Sequence, residues 1–430
     1  MPQKLNRRHV LASGAAIALA RPAIAQSKPE RLVFVGDPGA WKKILNTEQA
    51  PAFEKETGIR IEITQLPIDA LNARLRSEFA SGGTEIDIVQ WTNGWTGWIH
   101  RYLEDHRKLL ATASKITPDW DWGDFITPAL QMGQFDGVQL GVPYRATVNV
   151  LHYQKALLEQ AGVKPPGTWP EFLKAALAVN TPPQRYAFGI FGLQGAGMFV
   201  GWNSWHYSNG GRLLDFNTGE VFVNDDKGVE ALTFYAELNT KYKVVPPEAM
   251  TWAFDEIVAG GQSDRYAMVQ MFAPYGTLIN DPKLSKTGGK WAWTTVPGPT
   301  SPDQGVTWID GHNLGVPKYT KNKEWALEFI RMACGTQWQK RAMIRGNAPP
   351  LRSVLYDPAM IEQIGWPPVA AKALETGIPT PANPVWDTLE MQLRSALSQA
   401  LFGQKTPKQA LDDLAADWHR SLHRAGIGRG

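Results

Sequence analysis

Apolar stretches and amphipathic stretches alternate along the first quarter of the chain. The run RLVFVGD (31–37) is almost continuously apolar and predicts a buried strand. The next segment, 43–58, has apolar residues at helical spacing and ends on Gly58, a residue type that commonly closes helices. The two patterns then repeat as strand, helix and strand, at 59–66, 69–83 and 85–91. This alternation predicts an α/β domain with a largely parallel sheet.

The same alternation continues to the C-terminus and predicts a second domain. Amphipathic helices are expected at 169–180, 226–242, 321–335 and 408–426, and a strand at 265–272. Thr406 and Pro407 supply an N-cap and a first-turn proline for the last of these helices. A chain of 430 residues exceeds the size of one ordinary domain, so two are expected. Loops rich in Pro and Gly at 296–305 and 346–351 are the expected crossings between them.

The N-terminal residues have the features of an export signal. Lys4, Arg7 and Arg8 precede a short apolar run, and Ala23-Ile24-Ala25 matches a small-residue cleavage site. The run is too short to span a bilayer, and the adjacent arginines resemble the twin-arginine type of signal. We therefore expect residues 1–25 to be an export signal peptide, cleaved after Ala25, and the mature protein to lie in the periplasm.

Composition excludes several classes of partner. Without the four basic residues of the signal, the net charge of +3 becomes −1, which suggests neither nucleic acid nor an anionic membrane. The single cysteine, Cys334, allows no internal disulfide. The chain contains 18 tryptophans, and a soluble protein keeps so many only if most are buried or face a flat apolar partner.

The search for catalytic and metal-binding motifs is negative. We find no G-x-S-x-G elbow, no H-E-x-x-H and no phosphate-binding G-x-x-x-x-G-K-[ST] loop. His419 and His423 have a metal-compatible spacing, but they belong to a charged helix without a third ligand, so a solvated face is favoured. We predict no catalytic residue, no metal and no cofactor.

Several loops instead combine aromatic residues with hydrogen-bonding groups. Examples are WTNGW (91–95), VPYRATVNVLHY (142–153), FVGWNSWHYSNGG (199–211) and TWIDGHN (307–313). Aromatic faces pack against the apolar faces of a sugar ring, while Asn, Asp and Arg satisfy its hydroxyls. Together these loops favour binding of a polyhydroxylated ligand over turnover.

The order and spacing of several segments resemble one known family. They are PAFEKETGIRIEI, ASGGTEIDIVQ, GVPYRATVNVLHYQKALLEQAGVKPPGTWPEF, RYAMVQMFAPYG, GHNLGVPKYTKNKEWALEFIRMACGTQWQ and LFGQKTPKQALDDL. The chain resembles the extracellular solute-binding proteins of ABC importers, the family that includes maltose-binding protein. This resemblance implies a two-lobed α/β periplasmic binding protein fold with discontinuous lobes joined by hinge strands. We expect 29–143 plus 298–345 in the N-terminal lobe and 144–297 plus 346–430 in the C-terminal lobe.

The resemblance also implies a ligand site between the lobes. The expected contacts are Asp37, Trp41, Thr92, Asn93, Tyr144, Arg145, Trp202, Trp205, Tyr275, Trp308, Asp310, His312, Arg352 and Trp386. Purely structural roles stay open for some of them: Tyr144 and Arg145 as hinge residues, Trp202 and Trp205 as core, Asp310-Gly311-His312 as a turn, and Arg352 as a surface ion pair. Trp95, Trp98 and Tyr102 fall on one helical face and are expected to be core.

The implied function is a periplasmic, non-catalytic carrier. It would capture a mono- or oligosaccharide, pass it to an ABC permease and be a monomer when free. Arg145 and Arg352 together would suit an acidic or sulfonated sugar. A polyol, a polyamine and a glycerophosphodiester also stay open as solutes. A secreted carbohydrate-active enzyme is the competing hypothesis from another class of function.

Overall fold

The computed structural model describes residues 28–38, 42–112 and 121–428. The expected signal, 1–25, and Trp41 lie outside the described residues. The strands of the described residues are β1 Arg31–Gly36, β2 Arg60–Gln65, β3 Ile88–Thr92, β4 Gln134–Phe135, β5 Val138–Gln139, β6 Val142–Gln154, β7 Tyr186–Gly189, β8 Tyr266–Phe272, β9 Trp291–Thr294, β10 Trp308–Gly315 and β11 Ile378–Pro379.

The helices lie between these strands and after them. They are α1 Lys42–Ile44, α2 Ala50–Thr57, α3 Ile68–Ala80, α4 Thr96–Ile99, α5 His106–Thr112, α6 Thr127–Gln131, α7 Lys155–Gln160, α8 Trp169–Val179, α9 Ala196–Ser208, α10 Asp226–Thr240, α11 Phe254–Gln262, α12 Tyr275–Asn280, α13 Lys323–Cys334, α14 Thr336–Ile344, α15 Arg352–Leu355, α16 Pro358–Ile364, α17 Pro367–Thr376, α18 Trp386–Leu401 and α19 Pro407–Arg424. A π-helical turn, Leu45–Gln49, joins α1 to α2, and 3₁₀ turns occur at Asn93–Trp95, His100–Tyr102, Trp122–Asp124, Pro247–Thr251 and Pro302–Gln304.

Local sequence signals place the ends of several helices as predicted. Gly58 follows α2 with φ of 68°, a left-handed conformation that favours glycine, and its N–H donates to Glu54 O at 2.6 Å. Thr168 and Thr406 each accept a bond from the backbone of the third helical residue, and so cap α8 and α19. The predicted boundaries of these helices are therefore confirmed to within a few residues.

One sheet runs through both halves of the molecule. Its strands follow the order β2-β1-β3-β10-β6-β8-β7, with β11 beside β10 and β9 beside β6. β1 is parallel to β2 and β3, as predicted, whereas β10 is antiparallel to β3 and β6. The 13-residue β6 pairs with β10 over its first half and with β8 and β9 over its second half. This long strand is therefore shared by two lobes, and the α/β fold is confirmed.

The apolar side chains form separate cores on the two sides of that strand. In the first lobe, alternate residues of β1 face opposite ways: Phe34 joins a core with Phe329, whereas Val35 joins another with Leu71. In the second lobe, α8, α9, α10, α18 and α19 bury their apolar faces together around β7 and β8.

The segment 348–374 differs from the expected division of the chain. Its buried residues, among them Val354, Trp366 and Leu374, pack with the β1 side of the first lobe and not with the second lobe. Only from Trp386 onward do the apolar residues join the second core. The reason is that α17 packs against β6 and α6, while α15 and α16 pack against α17 and α14. Residues 346–376 thus lie with the first lobe, and the passage to the second lobe follows α17.

Among the helices that the structure describes, none combines the length and the apolarity needed to cross a membrane. Within the same residues, no group of three or more His, Cys, Asp or Glu side chains is arranged to hold a metal ion. Cys334 is buried in the core of the first lobe.

Candidate ligand-binding cleft

A cavity of about 540 Å³ lies where the two lobes face each other. The first lobe contributes the residues that follow its strands and the first turn of α3. The second lobe contributes the first turns of α9 and α18 and the end of β8. The cavity is lined by side chains that include Asp37, Asp69, Asn72, Thr92, Trp95, Arg145, Phe199, Phe254, Phe272, Tyr275, Trp308, Asp310, His312, Trp386, Asp387, Glu390 and Arg394.

A polar network lines the part of the cavity formed by the first lobe. The register of the sheet brings it together, because His312 of β10 stands opposite both Thr92 of β3 and Arg145 of β6. Arg145 Nη2 lies 2.5 Å from His312 Nε2 and 3.5 Å from Asp37 Oδ2. Gln90 connects the remaining atoms: its Nε2 lies 2.6 Å from His312 Nδ1 and donates to Asp37 Oδ1.

Gly36 allows this network to close. A Cβ atom at this position would lie 2.5 Å from Gln90 Oε1, closer than non-bonded atoms approach. With glycine there, the backbone N–H of Asp37 donates to the same Gln90 oxygen at 3.1 Å. That bond fixes the orientation of the Gln90 amide, so its nitrogen must face Asp37 and His312.

Hydrogen bonding in the network leaves donor capacity on Arg145. Burial, followed by the neighbouring Arg145 charge, lowers the pKa of His312 to about 3, so the imidazole is neutral at physiological pH. The Gln90 nitrogen faces His312 Nδ1 and Arg145 Nη2 faces His312 Nε2, and a neutral ring can accept from only one of these two donors. Arg145 Nε is buried and has no acceptor among the residues that the structure describes. Arg145 therefore retains donor capacity that the described residues do not satisfy.

Asp310 lies on the same face of β10 as His312, two residues earlier. Its Oδ1 accepts the backbone N–H of Gly311 at 2.8 Å. Burial raises the pKa of this carboxyl to about 7; the Gly311 bond opposes the rise and the charge of Glu390 adds to it. Asp310 is thus a partly buried carboxyl group whose protonation changes near neutral pH.

The first two turns of α18 contribute a charged face to the opposite wall. Asp387, Glu390 and Arg394 follow one another at helical spacing, and Arg394 Nη2 lies 2.5 Å from Glu390 Oε1. Burial raises the pKa of Glu390, and the Arg394 charge opposes this. Asp387 Oδ2 reaches α3 of the first lobe, where it lies 3.3 Å from Asn72 Nδ2 and 3.4 Å from Arg76 Nη2.

Aromatic rings surround the remaining surface of the cavity and pack against each other, mostly edge to face. Phe272 lies 5.6 Å from Tyr275 and 6.1 Å from Trp308 between ring centroids. Phe199 bridges Trp308 and Trp386 at 5.6 and 5.8 Å. Trp308 is further fixed by its Nε1, which donates to Thr380 Oγ1 at 2.7 Å. Flat apolar faces and unsatisfied polar groups therefore share one cavity.

The structure brings eight of the residues predicted from sequence to the cavity wall: Asp37, Thr92, Arg145, Tyr275, Trp308, Asp310, His312 and Trp386. Trp41 lies outside the described residues. Asn93 is next to the wall but buried, and its Nδ2 donates to the backbone oxygen of Thr380.

Four expectations are corrected. Tyr144 precedes Arg145 on β6, so its side chain points to the other face of the sheet and is buried in the first core. Trp202 and Trp205 belong to the later turns of α9 and are fully buried, Trp202 against His206 and Trp205 against Phe172. Arg352 begins α15, is 39% exposed and pairs with Glu375 on the surface.

Other lining residues were missed from the sequence. Trp95 is buried in a core of the first lobe, as expected, but it also borders the cavity, from a segment that forms a 3₁₀ turn, the four-residue α4 and another 3₁₀ turn instead of one helix. Trp98 is buried, with the guanidinium of Arg76 at 4.4 Å from its ring. Glu390 and Arg394 gave only the signal of a charged helix face, which is typical of a solvated surface.

Comparison with known proteins identifies relatives for most of the chain. The sequence profile of bacterial extracellular solute-binding proteins matches residues 35–340. A probable amino-acid ABC transporter periplasmic-binding protein of Sinorhizobium fredii is 24% identical over 87% of this chain and 85% of its own length. The mannitol-binding protein of Pseudomonas aeruginosa is 24% identical over 87% of this chain and 88% of its own length.

A solved structure is similar over almost the whole fold. It is an ABC transporter solute-binding protein from Agrobacterium radiobacter K84 in complex with ribitol, with a TM-score of 0.78 and 25% identity. The similarity covers 91% of this chain and 98% of that one. The two-lobed architecture expected from the sequence is therefore shared with a solute-binding protein of an ABC transporter.

Proposed function

Because this chain belongs to the bacterial extracellular solute-binding protein family, we propose that its cleft captures a small carbohydrate or sugar alcohol for an ABC importer. The mannitol-binding relative and the ribitol complex support this class of solute. The protein delivers the solute to the membrane permease, and is a monomer when free.

One observation carries the proposal: aromatic faces and a hydrogen-bonding network line the same cavity. Trp308 and Tyr275 offer flat apolar surfaces, and Arg145 and His312 offer polar groups. His312 can accept from only one of its two neighbouring donors, and Arg145 Nε has no acceptor among the described residues, so a ligand hydroxyl can supply an acceptor that the network needs. The cavity volume of about 540 Å³ lies in the range that suits a small ligand.

The lining also supports a mechanism of capture by closure. Asp37, Thr92 and Trp95 come from the first lobe, whereas Phe199, Glu390 and Trp386 come from the second. A solute that touches both walls binds more tightly when the lobes are closed, and this difference in affinity drives closure. The permease then recognises the closed form.

We also propose that the protein acts outside the cytoplasm. The family consists of extracellular solute-binding proteins, and residues 1–25 have the pattern of a twin-arginine export signal cleaved after Ala25. N-terminal sequencing of the protein recovered from the periplasm tests this part. A mature chain that does not begin at Gln26 would contradict the cleavage site.

The experiment for the solute is a thermal-shift screen of residues 26–430 followed by calorimetry. Neutral sugars, polyols, acidic and sulfonated sugars, amino acids, polyamines and glycerophosphodiesters form the panel. A sugar or polyol should raise the melting temperature in proportion to the logarithm of its concentration. If only an amino acid or a polyamine does so, the carbohydrate class is wrong. Release of altered sugar after long incubation would instead indicate a carbohydrate-active enzyme.

A further inference from the structure

The charged groups of the cavity are unequally divided between acids and bases. Five carboxyl groups line it, those of Asp37, Asp69, Asp310, Asp387 and Glu390, against only two guanidinium groups, those of Arg145 and Arg394. No lysine is among the lining residues that the structure describes. The cavity therefore presents an excess of negative charge to its ligand.

Both guanidinium groups already have a carboxylate. Arg145 lies against Asp37 at 3.5 Å, and Arg394 against Glu390 at 2.5 Å. Asp387, at the mouth, is paired with Arg76 at 3.4 Å. An anionic solute would have to compete with these carboxylates for either arginine inside the cavity.

Asp310 is the inner carboxyl group without such a partner. It forms no ion pair in the part of the chain that the structure describes, and its hydrogen bonds come from the backbone N–H groups of Gly311 and Asn93. Asp69, the other unpaired acid, is exposed at the start of α3. Glu390 of α18 and Arg145 of β6 are the charged groups whose fields act on Asp310.

We propose, building on the function above, that Asp310 selects the charge of the solute: it accepts hydrogen bonds from ligand hydroxyls and repels ligand carboxylate, sulfonate or phosphate groups. The cleft then takes neutral polyols or sugars and rejects their oxidised or phosphorylated derivatives. Specificity arises here from a repulsive contact as much as from an attractive one. Arg352, which was expected to help bind an acidic sugar, instead pairs with Glu375 outside the cavity and cannot do so.

The test compares matched neutral and acidic solutes by calorimetry at pH 8. Burial raises the pKa of Asp310 to about 7, so the carboxylate form dominates at that pH. The pairs are ribitol with D-ribonate, D-mannitol with D-mannonate and D-glucose with D-glucuronate. For each neutral solute that binds, we expect its acid to bind at least about 100-fold more weakly, as like charges at close range imply.

The Asp310→Asn variant then assigns the discrimination to this residue. Asparagine retains the oxygen that accepts from Gly311 but removes the charge. The preference for the neutral solute, measured as the Kd of the acid divided by the Kd of its neutral partner, should therefore fall at least about tenfold. Asp136→Asn is the matched control, because Asp136 is exposed in the turn between β4 and β5 and has φ of 48°, which asparagine tolerates. The control should keep the wild-type ratio, and melting curves verify that both variants are folded.

Two results overturn the inference while the proposed function stands: an acid that binds the wild type as tightly as its neutral partner, or an unchanged ratio in Asp310→Asn. If no sugar or polyol of the screen binds, the proposed function fails and the charge selection fails with it.

Discussion

Replacement of Arg145 by alanine tests the polar network most directly. In the structure the Arg145 side chain is 15% exposed, its guanidinium lies 2.5 Å from His312 and 3.5 Å from Asp37, and its buried Nε has no acceptor among the described residues. A hydrogen bond from a charged donor contributes about 1.5–3 kcal/mol. Since about 1.4 kcal/mol corresponds to tenfold in affinity, the Kd for the best solute should rise about 10- to 150-fold.

The Arg145→Lys variant separates charge from geometry. Lysine restores a positive charge beside Asp37 but lacks the planar pair of donors. We expect it to recover most of the melting temperature lost in Arg145→Ala and little of the affinity. Arg352→Ala is the matched control, because this arginine pairs with Glu375 outside the cavity. Its Kd should stay within about twofold of the wild type, in line with the small value of exposed ion pairs.

Isothermal titration calorimetry gives the affinities, and urea unfolding gives the stabilities. The reasoning about Arg145 is refuted if Arg145→Ala binds the solute as tightly as the wild type does. It is also refuted if Arg145→Ala and Arg352→Ala weaken binding equally.

Three further predictions concern two buried tryptophans, the buried histidines and the ion pair at the mouth of the cavity. Trp202→Ala should lower the free energy of unfolding by about 3–5 kcal/mol and leave the Kd nearly unchanged, whereas Trp308→Ala should both destabilise the protein and raise the Kd, because Trp308 is buried in the same core and also lines the cavity. Urea unfolding and calorimetry of both variants check this, and a raised Kd in Trp202→Ala or an unchanged Kd in Trp308→Ala would contradict the assignment. Burial lowers the pKa of four histidines in the folded protein to about 4, 3, 4 and 3; they are His106, His152, His206 and His312. Because these imidazoles bind protons below a pKa of about 6.5 once unfolded, their contribution to the free energy of unfolding should fall as pH drops from 6.5 toward 4 and stay constant above pH 7. Urea titrations at pH 7 and pH 5 check this. Arg76→Ala removes the ion pair to Asp387 across the mouth of the cavity. An exposed ion pair contributes about 0–1 kcal/mol, so solute release in stopped-flow measurements should become up to about fivefold faster. Slower release would contradict a role of this pair in holding the lobes together.

Local sequence signals indicate the candidate site most directly where it follows a strand. Asp37 comes directly after a buried run and Thr92 ends another, so both were expected at the carboxyl edge of a parallel sheet, where the cavity lies. For Tyr144 and Arg145 the sequence indicated the loop but not the face. The pairing of β6 with β10 decided that Arg145 faces the cavity and Tyr144 the core.

Residues on helices were harder to assign, because a side chain that lines the cavity and a side chain buried in the core can lie only one helical turn apart. Phe199 reaches the cavity from the first turn of α9, whereas Trp202, three residues later, is fully buried. Both residues are large, aromatic and part of the same segment. Their roles depend on where the axis of α9 crosses β8 and β10, which no local pattern records.

The sequence by itself determined the local elements: the apolar runs of β1 and β3, the glycine that ends α2 and the threonines that cap α8 and α19. These follow from short-range physics, namely the burial of apolar faces and the bonding of helix ends. Only the tertiary structure decided that the charge of Glu390 raises the pKa of Asp310 and that 348–374 packs with the first lobe. Such contacts join residues far apart in the chain, and they form because the sheet and its helices together bury more apolar surface in this arrangement than any segment can bury alone.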